Sequence, residues 1–183
     1  MNNITDCNMC KSSGIKRLTQ LSLLTSIALI IFIIELRLPN LLPIPGVKAG
    51  LANIITVFAV YRFRKSETAM IVIVRIFLGA VFSGNVSSLI YSAAGAFFCL
   101  CGMFVVSRII PHKYLWLSSV VGGILHNTGQ IIAAVIVMKT FSVFAYYPIL
   151  IVTGSIAGLF TGTCAMFVLK RINLNPKSNS IQI

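Results

Sequence analysis

Residues 115–138 read LWLSSVVGGILHNTGQIIAAVIVM, twenty-four positions without an aspartate, glutamate, lysine or arginine. As a helix, at 1.5 Å per residue, this stretch is about 36 Å long, enough to cross the roughly 30 Å hydrocarbon layer of a bilayer. Its reading decides the fold class. In lipid, every backbone N–H and C=O must find a partner inside the protein, and a helix satisfies them within one segment.

Five more apolar runs lie on either side, at about Leu21–Leu38, Ala49–Tyr61, Thr68–Phe82, Ser88–Ile109 and Phe144–Leu169. The second is short for a full crossing. It is expected to start below the lipid surface, sheltered by the preceding loop Pro39–Gly46, whose three prolines forbid a continuous helix. The reading is therefore an all-α polytopic membrane protein: a six-helix bundle over residues 21–171 between an N-terminal tail, 1–20, and a C-terminal tail, 172–183. Composition agrees, since 57% of the chain is hydrophobic and 10% charged, against about 25% charged in soluble domains. No cleavable leader is expected, because the first apolar run is long enough to stay in the membrane.

The formal charge is +12, which raises the question of nucleic acid. The cations argue against it, because they form short clusters between apolar runs instead of one face or tail. With the N-terminus placed inside, the inner segments hold Lys11, Lys16, Arg17, Arg62, Arg64, Lys65, Arg108, Lys113, Lys170, Arg171 and Lys177. The outer loops hold only Lys48 and Lys139. This is the positive-inside pattern. It predicts an even number of spans in the cell membrane, with both termini cytoplasmic. Cys7 and Cys10 form a CxxC in the N-terminal tail. No second pair follows to complete a metal site, so the tail is expected to be disordered and reduced.

A charge near the middle of a bilayer costs about 2.5–3.5 kcal/mol on insertion scales, so polar residues within the spans are candidate functional groups. They are Glu35 at the outer end of span one, Lys48 and Asn53 around the start of span two, Arg75 in span three, Asn85 at its outer end, and His126, Asn127 and Gln130 in span five. In the assigned orientation they fall at or above the midplane, while the inner halves are almost wholly apolar. This predicts a polar pocket open to the outside and plugged from within. Arg75 needs a partner, and Glu35 is the candidate; Glu35 could equally reach to the membrane surface. His126 and Gln130, four apart, share a helix face, as ligand contacts or as interhelical bonds. The cations outnumber Glu35, which favours an anionic small-molecule ligand. Gly154, Gly158 and Gly162 form a small-residue ridge on span six, for internal packing or for docking a partner protein.

Catalytic motifs are missing. There is no Walker motif, no DDxxD, and only three acidic residues, Asp6, Glu35 and Glu67. Nothing resembles a nucleophile with its base. The reading is a binding or transport protein, not an enzyme, with no metal site and no cofactor identifiable from the residues.

Several segments resemble one family. Residues 45–54, PGVKAGLANI, are similar to the PGxKxGLAN segment of the Gx transporter family, which is also described as heptaprenyl diphosphate synthase component I. Arg75-Ile76-Phe77-Leu78-Gly79, Ser92-Ala93-Ala94-Gly95, His126-Asn127-Thr128-Gly129-Gln130 and Pro148 with the glycine ridge resemble its other segments. The resemblance covers about residues 20–170. It implies the six-helix fold of the S components of energy-coupling factor transporters. Those proteins capture small molecules from outside and dock on a scaffold with two ATPases. The small docking residues of their first span have Ser22 and Ser26 as nearest counterparts here. The resemblance also implies two alternatives: a membrane subunit linked to isoprenoid or quinone metabolism, and a component of flavin- or quinone-based extracellular electron transfer with a partner carrying the redox group. It places the chain in a bacterial membrane.

Overall fold

The computed structural model describes residues 3–37, 50–84, 86–110 and 114–171, without the side chains of residues 3–13, 36 and 86–88. The described chain is helical: α1 (Asn3–Arg37), α2 (Asn53–Arg62), α3 (Lys65–Ser83), α4 (Val86–Ile109), α5 (Leu115–Met138), a 3-10 turn (Phe141–Tyr146) and α6 (Tyr147–Arg171). Five segments are long and apolar enough to cross a membrane, and α2 is too short to do so alone. The fold is thus an all-α membrane bundle of six helices.

The helix ends have local causes. Upstream of α2 stand Pro39, Pro43 and Pro45, and Gly50 takes a left-handed φ of +78° just before the helix. At the other end, Phe63 and Arg64 are extended, so α2 stops after 10 residues, about 15 Å. Glu67 reaches back to the N–H of Arg64 at 2.9 Å and caps the start of α3. Gly84, left-handed at φ +64°, closes α3 through its N–H to the Ala80 carbonyl.

Two expectations change. The tail is not disordered up to Leu21: α1 begins at Asn3 and runs unbroken into the apolar segment. No proline interrupts residues 1–38, and Arg17 is tied to α3 by a bidentate ion pair with Glu67 at 2.6 and 2.8 Å. The side chains of Cys7 and Cys10 lie outside the described residues. Second, span six is entered through the 3-10 turn, after Lys139 has taken a left-handed φ of 50°.

Contacts fix the helix directions. Arg17 meets Glu67, and Phe32 packs on Gly79, so α1 and α3 run parallel. Thr68 bonds to the Ala59 carbonyl and Arg75 faces Asn53, so α2 runs against α3. Lys65 lies over Phe104 while Arg75 faces Cys99, which makes α4 antiparallel to α3. The tightest packing joins α4 to α5 and α5 to α6. A Cβ on Gly123 would lie 2.4 Å from the Gly154 carbonyl oxygen, and one on Gly158 would lie 2.6 Å from the Ser119 oxygen. The ridge on span six therefore serves internal packing against α5, backbone to backbone.

Candidate ligand-binding site

Six of the eight candidate residues lie within the described structure. Lys48 and Asn85 lie outside it. Glu35, Asn53, Arg75, His126, Asn127 and Gln130 are all buried, from 7% exposed at Glu35 to 1% at Gln130.

Five of these six form one contiguous group. Glu35, near the end of α1, accepts a hydrogen bond from the Gly50 N–H. A Cβ at Gly50 would lie 3.0 Å from Asn53 Nδ2 and 3.4 Å from His126 Cδ2, so this glycine turn is wedged between α2 and α5. Asn53 Oδ1 faces Arg75 Nη2 at 3.5 Å, at the limit of a hydrogen bond. On α5, Gln130 Nε2 and His126 Nε2 are 3.1 Å apart. Both pack on Gly95 of α4, where a Cβ would lie 2.8 Å from His126 Cε1 and 3.0 Å from Gln130 Cγ. Glycine at 50 and at 95 is what leaves room for the imidazole.

The expected Glu35–Arg75 ion pair is not formed. Among the described residues the salt bridge is Arg17–Glu67, and the Glu35 carboxylate is committed to the Gly50 N–H, with Arg75 within electrostatic reach. A backbone donor brought close by the turn at Gly50 competes for the acid. Asn127 also stands apart: its Nδ2 donates to the Leu150 carbonyl of α6 at 2.8 Å.

Three buried polar atoms of the group lack a hydrogen-bond partner among the described residues: Arg75 Nη1, His126 Nδ1 and Gln130 Oε1. His126 Nδ1 lies against the Gly95 backbone without a hydrogen bond of normal geometry. An amide NH2 only donates, so with Gln130 as placed, His126 Nε2 accepts and Nδ1 carries the proton. Turning the amide over reverses these roles and leaves its NH2 unpartnered instead. Either way the group presents a guanidinium donor, one further imidazole nitrogen and one further amide atom. Each such buried group costs about 1–3 kcal/mol, and more if charged, so three together in a native core require an explanation.

Two of the residues expected to line the outward pocket, Lys48 and Asn85, lie outside the described residues. The cavity beside the group, between Asn53, Cys99, Met103, Ser119, His126 and Thr161, holds about 10 Å³, barely the space of one water. The half of the bundle that was expected to face inward is also less apolar than expected. Ser119 and Thr161 bond at 3.0 Å, and Tyr61 donates to Ser118 at 2.6 Å. Sequence reasoning missed these side chains because hydroxyls barely lower hydropathy and their partners lie 42 and 57 positions away. No group of three or more His, Cys, Asp or Glu that could hold a metal occurs among the described residues.

The family model described as heptaprenyl diphosphate synthase component I matches residues 24–168, which contain every described member of the group. No curated protein and no solved structure matches the chain.

Proposed function

The chain belongs to the heptaprenyl diphosphate synthase component I family, and from that premise we propose that it is a non-catalytic membrane subunit that captures a small solute at the Arg75–His126–Gln130 group. The observation that carries this reading is the set of three unpartnered polar atoms gathered on α3 and α5. A ligand with an anionic oxygen for Arg75, and a hydrogen-bonding group for His126 and Gln130, satisfies all three at once. Asn53 and the Glu35-held turn at Gly50 form the neighbouring wall.

The solute enters from the extracellular side of a bacterial cell membrane, with both chain termini in the cytoplasm. Among the described residues the cavity beside the group has room for about one water, so a larger solute held there displaces the side chains that line it. Nothing in these residues supplies an energy source. An energising partner of the kind that serves energy-coupling factor S components fits this role, and the words "component I" in the family's name imply a second component.

The test is native mass spectrometry of the full chain gently extracted from its own membrane. A small-molecule mass should accompany the wild type and be lost from Arg75→Gln and from His126→Ala, with helicity and thermal unfolding retained. A bare wild-type chain, or the same mass on both variants, overturns the reading. A prenyl or quinone mass would instead favour a role beside isoprenoid chemistry.

A further inference from the structure

The two α5 side chains of the candidate site obey a count that does not depend on how the amide lies. A glutamine amide has one acceptor oxygen and one donor NH2, and a neutral imidazole has one N–H and one bare nitrogen. Gln130 Nε2 and His126 Nε2 are 3.1 Å apart, so their contact uses one donor and one acceptor. With the amide as placed, Gln130 donates, which leaves its Oε1 as acceptor and the His126 Nδ1–H as donor, and neither has a partner among the described residues. With the amide turned over, His126 donates, which leaves the NH2 as donor and the bare Nδ1 as acceptor. Either way one donor and one acceptor remain.

Arg75 adds a third requirement. Its Nη2 faces Asn53 Oδ1 at 3.5 Å, and its Nη1 has no partner among the described residues. Glu35, an acid within electrostatic reach of Arg75, is already bonded to the Gly50 N–H. Arg75, His126 and Gln130 are at most 5% exposed. A solute that reaches them leaves its own water behind, so each polar atom on either side must find its match there.

This count selects among solutes. Quinones and fully ionised diphosphates carry acceptors only, and they leave the spare acceptor of the α5 pair unmatched. Protonating His126 would turn the pair into donors alone and admit a diphosphate. It would also set a second positive charge beside Arg75, which lies within electrostatic reach of the ring. An ammonium group meets the same repulsion, so the donor that the solute brings is neutral. A hydroxyl carries donor and acceptor on one atom, which would have to reach both side chains. A neutral amide carries them on two atoms, one for each member of the pair.

Taking the group to be a solute site, we infer that it holds a small organic acid bearing a neutral amide, with the carboxylate at Arg75 and the N–H and C=O at His126 and Gln130.

The full chain in neutral detergent at neutral pH is titrated with two amide acids, N-acetylglycine and pyroglutamate, and with their keto counterparts, levulinate and the cyclopentanone carboxylate. In each counterpart a CH2 replaces the N–H and the rest is kept. Calorimetry should show an amide acid binding about tenfold or more tightly than its keto counterpart, because deleting the N–H leaves a buried acceptor unmatched. Pyrophosphate should not compete, and Arg75→Gln should weaken the amide acid by about tenfold or more. Equal binding of an amide acid and its keto counterpart overturns the proposal. So does competition by pyrophosphate, or undiminished binding to a folded Arg75→Gln chain, or failure of both amide acids to bind. If both fail while a native small-molecule mass is still lost from Arg75→Gln and His126→Ala, the ligand class falls and the solute site stands. If the wild type carries no such mass either, both fall.

Discussion

Asn127 and Gln130 lie three residues apart on α5, both buried and both carrying an amide, yet their duties differ. The Asn127 amide is bonded to the Leu150 carbonyl, whereas Gln130 keeps one amide atom without a partner. Asn127→Ala is therefore expected to lower stability by about 1–3 kcal/mol, since it strips a bonded group from the α5–α6 contact. Gln130→Met, of similar size and apolar, removes the unpartnered amide atom but leaves His126 Nε2 without its partner, so the count of unpartnered atoms is unchanged and one hydrogen bond is lost. It should lower stability by no more than about 1 kcal/mol. Thermal unfolding of both variants in one detergent checks the pair, and equal losses would count against the assignment. The contrast was partly legible in the sequence. A spacing of four puts Gln130 near His126, and a spacing of one turns Asn127 about 100° away, towards a different neighbour. The fate of Glu35 was not legible, because a backbone N–H carries no mark in the sequence and Gly50 lies 15 positions further on.

Helices here are held by close backbone approach where glycine allows it, so the same substitution should act with opposite sign on two elements. Gly158 of α6 faces α5, and a Cβ there would lie 2.6 Å from the Ser119 carbonyl oxygen and 2.7 Å from the Val120 Cα. Backbone cannot swing aside as a side chain does, so Gly158→Ala should cost about 1–3 kcal/mol by forcing α5 and α6 apart. Gly14 of α1 has nothing within 4 Å of its Cβ position. Gly14→Ala should add about 0.5–1 kcal/mol of helix stability. Circular dichroism and thermal unfolding separate the two outcomes; a stabilised Gly158→Ala chain would show that the α5–α6 seam is looser than drawn. The ends of α3 to α6 were legible to within three residues, because charges and glycines interrupt hydropathy sharply there. The start of α1 was not. Hydropathy marks the lipid-crossing part of a helix and is silent on its polar extension, and the Arg17–Glu67 clamp that anchors that extension joins residues 50 positions apart.

At the scale of the whole molecule, α2 poses the sharpest question, since a helix of 10 residues does not cross a bilayer. If the chain failed to return between α1 and α3, every later element would be inverted. The contacts exclude this, because α1 and α3 run parallel from Arg17–Glu67 to Phe32–Gly79. The chain between Arg37 and Lys65 must therefore travel back from one end of the bundle to the other, with α2 as the last 15 Å or so of the return. Antiparallel seams then carry the direction onward: Gly102 meets Leu125 while Gly95 meets His126 and Gln130, and Gly123 meets Gly154 while Gly162 meets Trp116. The result gathers Arg17, Arg62, Lys65, Arg108, Lys170 and Arg171 at one end of the bundle and leaves Arg37 and Lys139 at the other. Alternating runs of charge in the sequence thus become a dipolar distribution in space, and the cation-rich end is expected to face the cytoplasm. In a chain whose five native cysteines are replaced by alanine or serine, a single cysteine at Lys139 should react with a membrane-impermeant maleimide in intact cells. Single cysteines at Arg108 and at Lys170 should react only after permeabilisation. Protection of position 139 together with labelling of 108 and 170 in intact cells would turn the bundle over. Labelling of 108 but not 170, or the reverse, would break the α4–α5–α6 register itself.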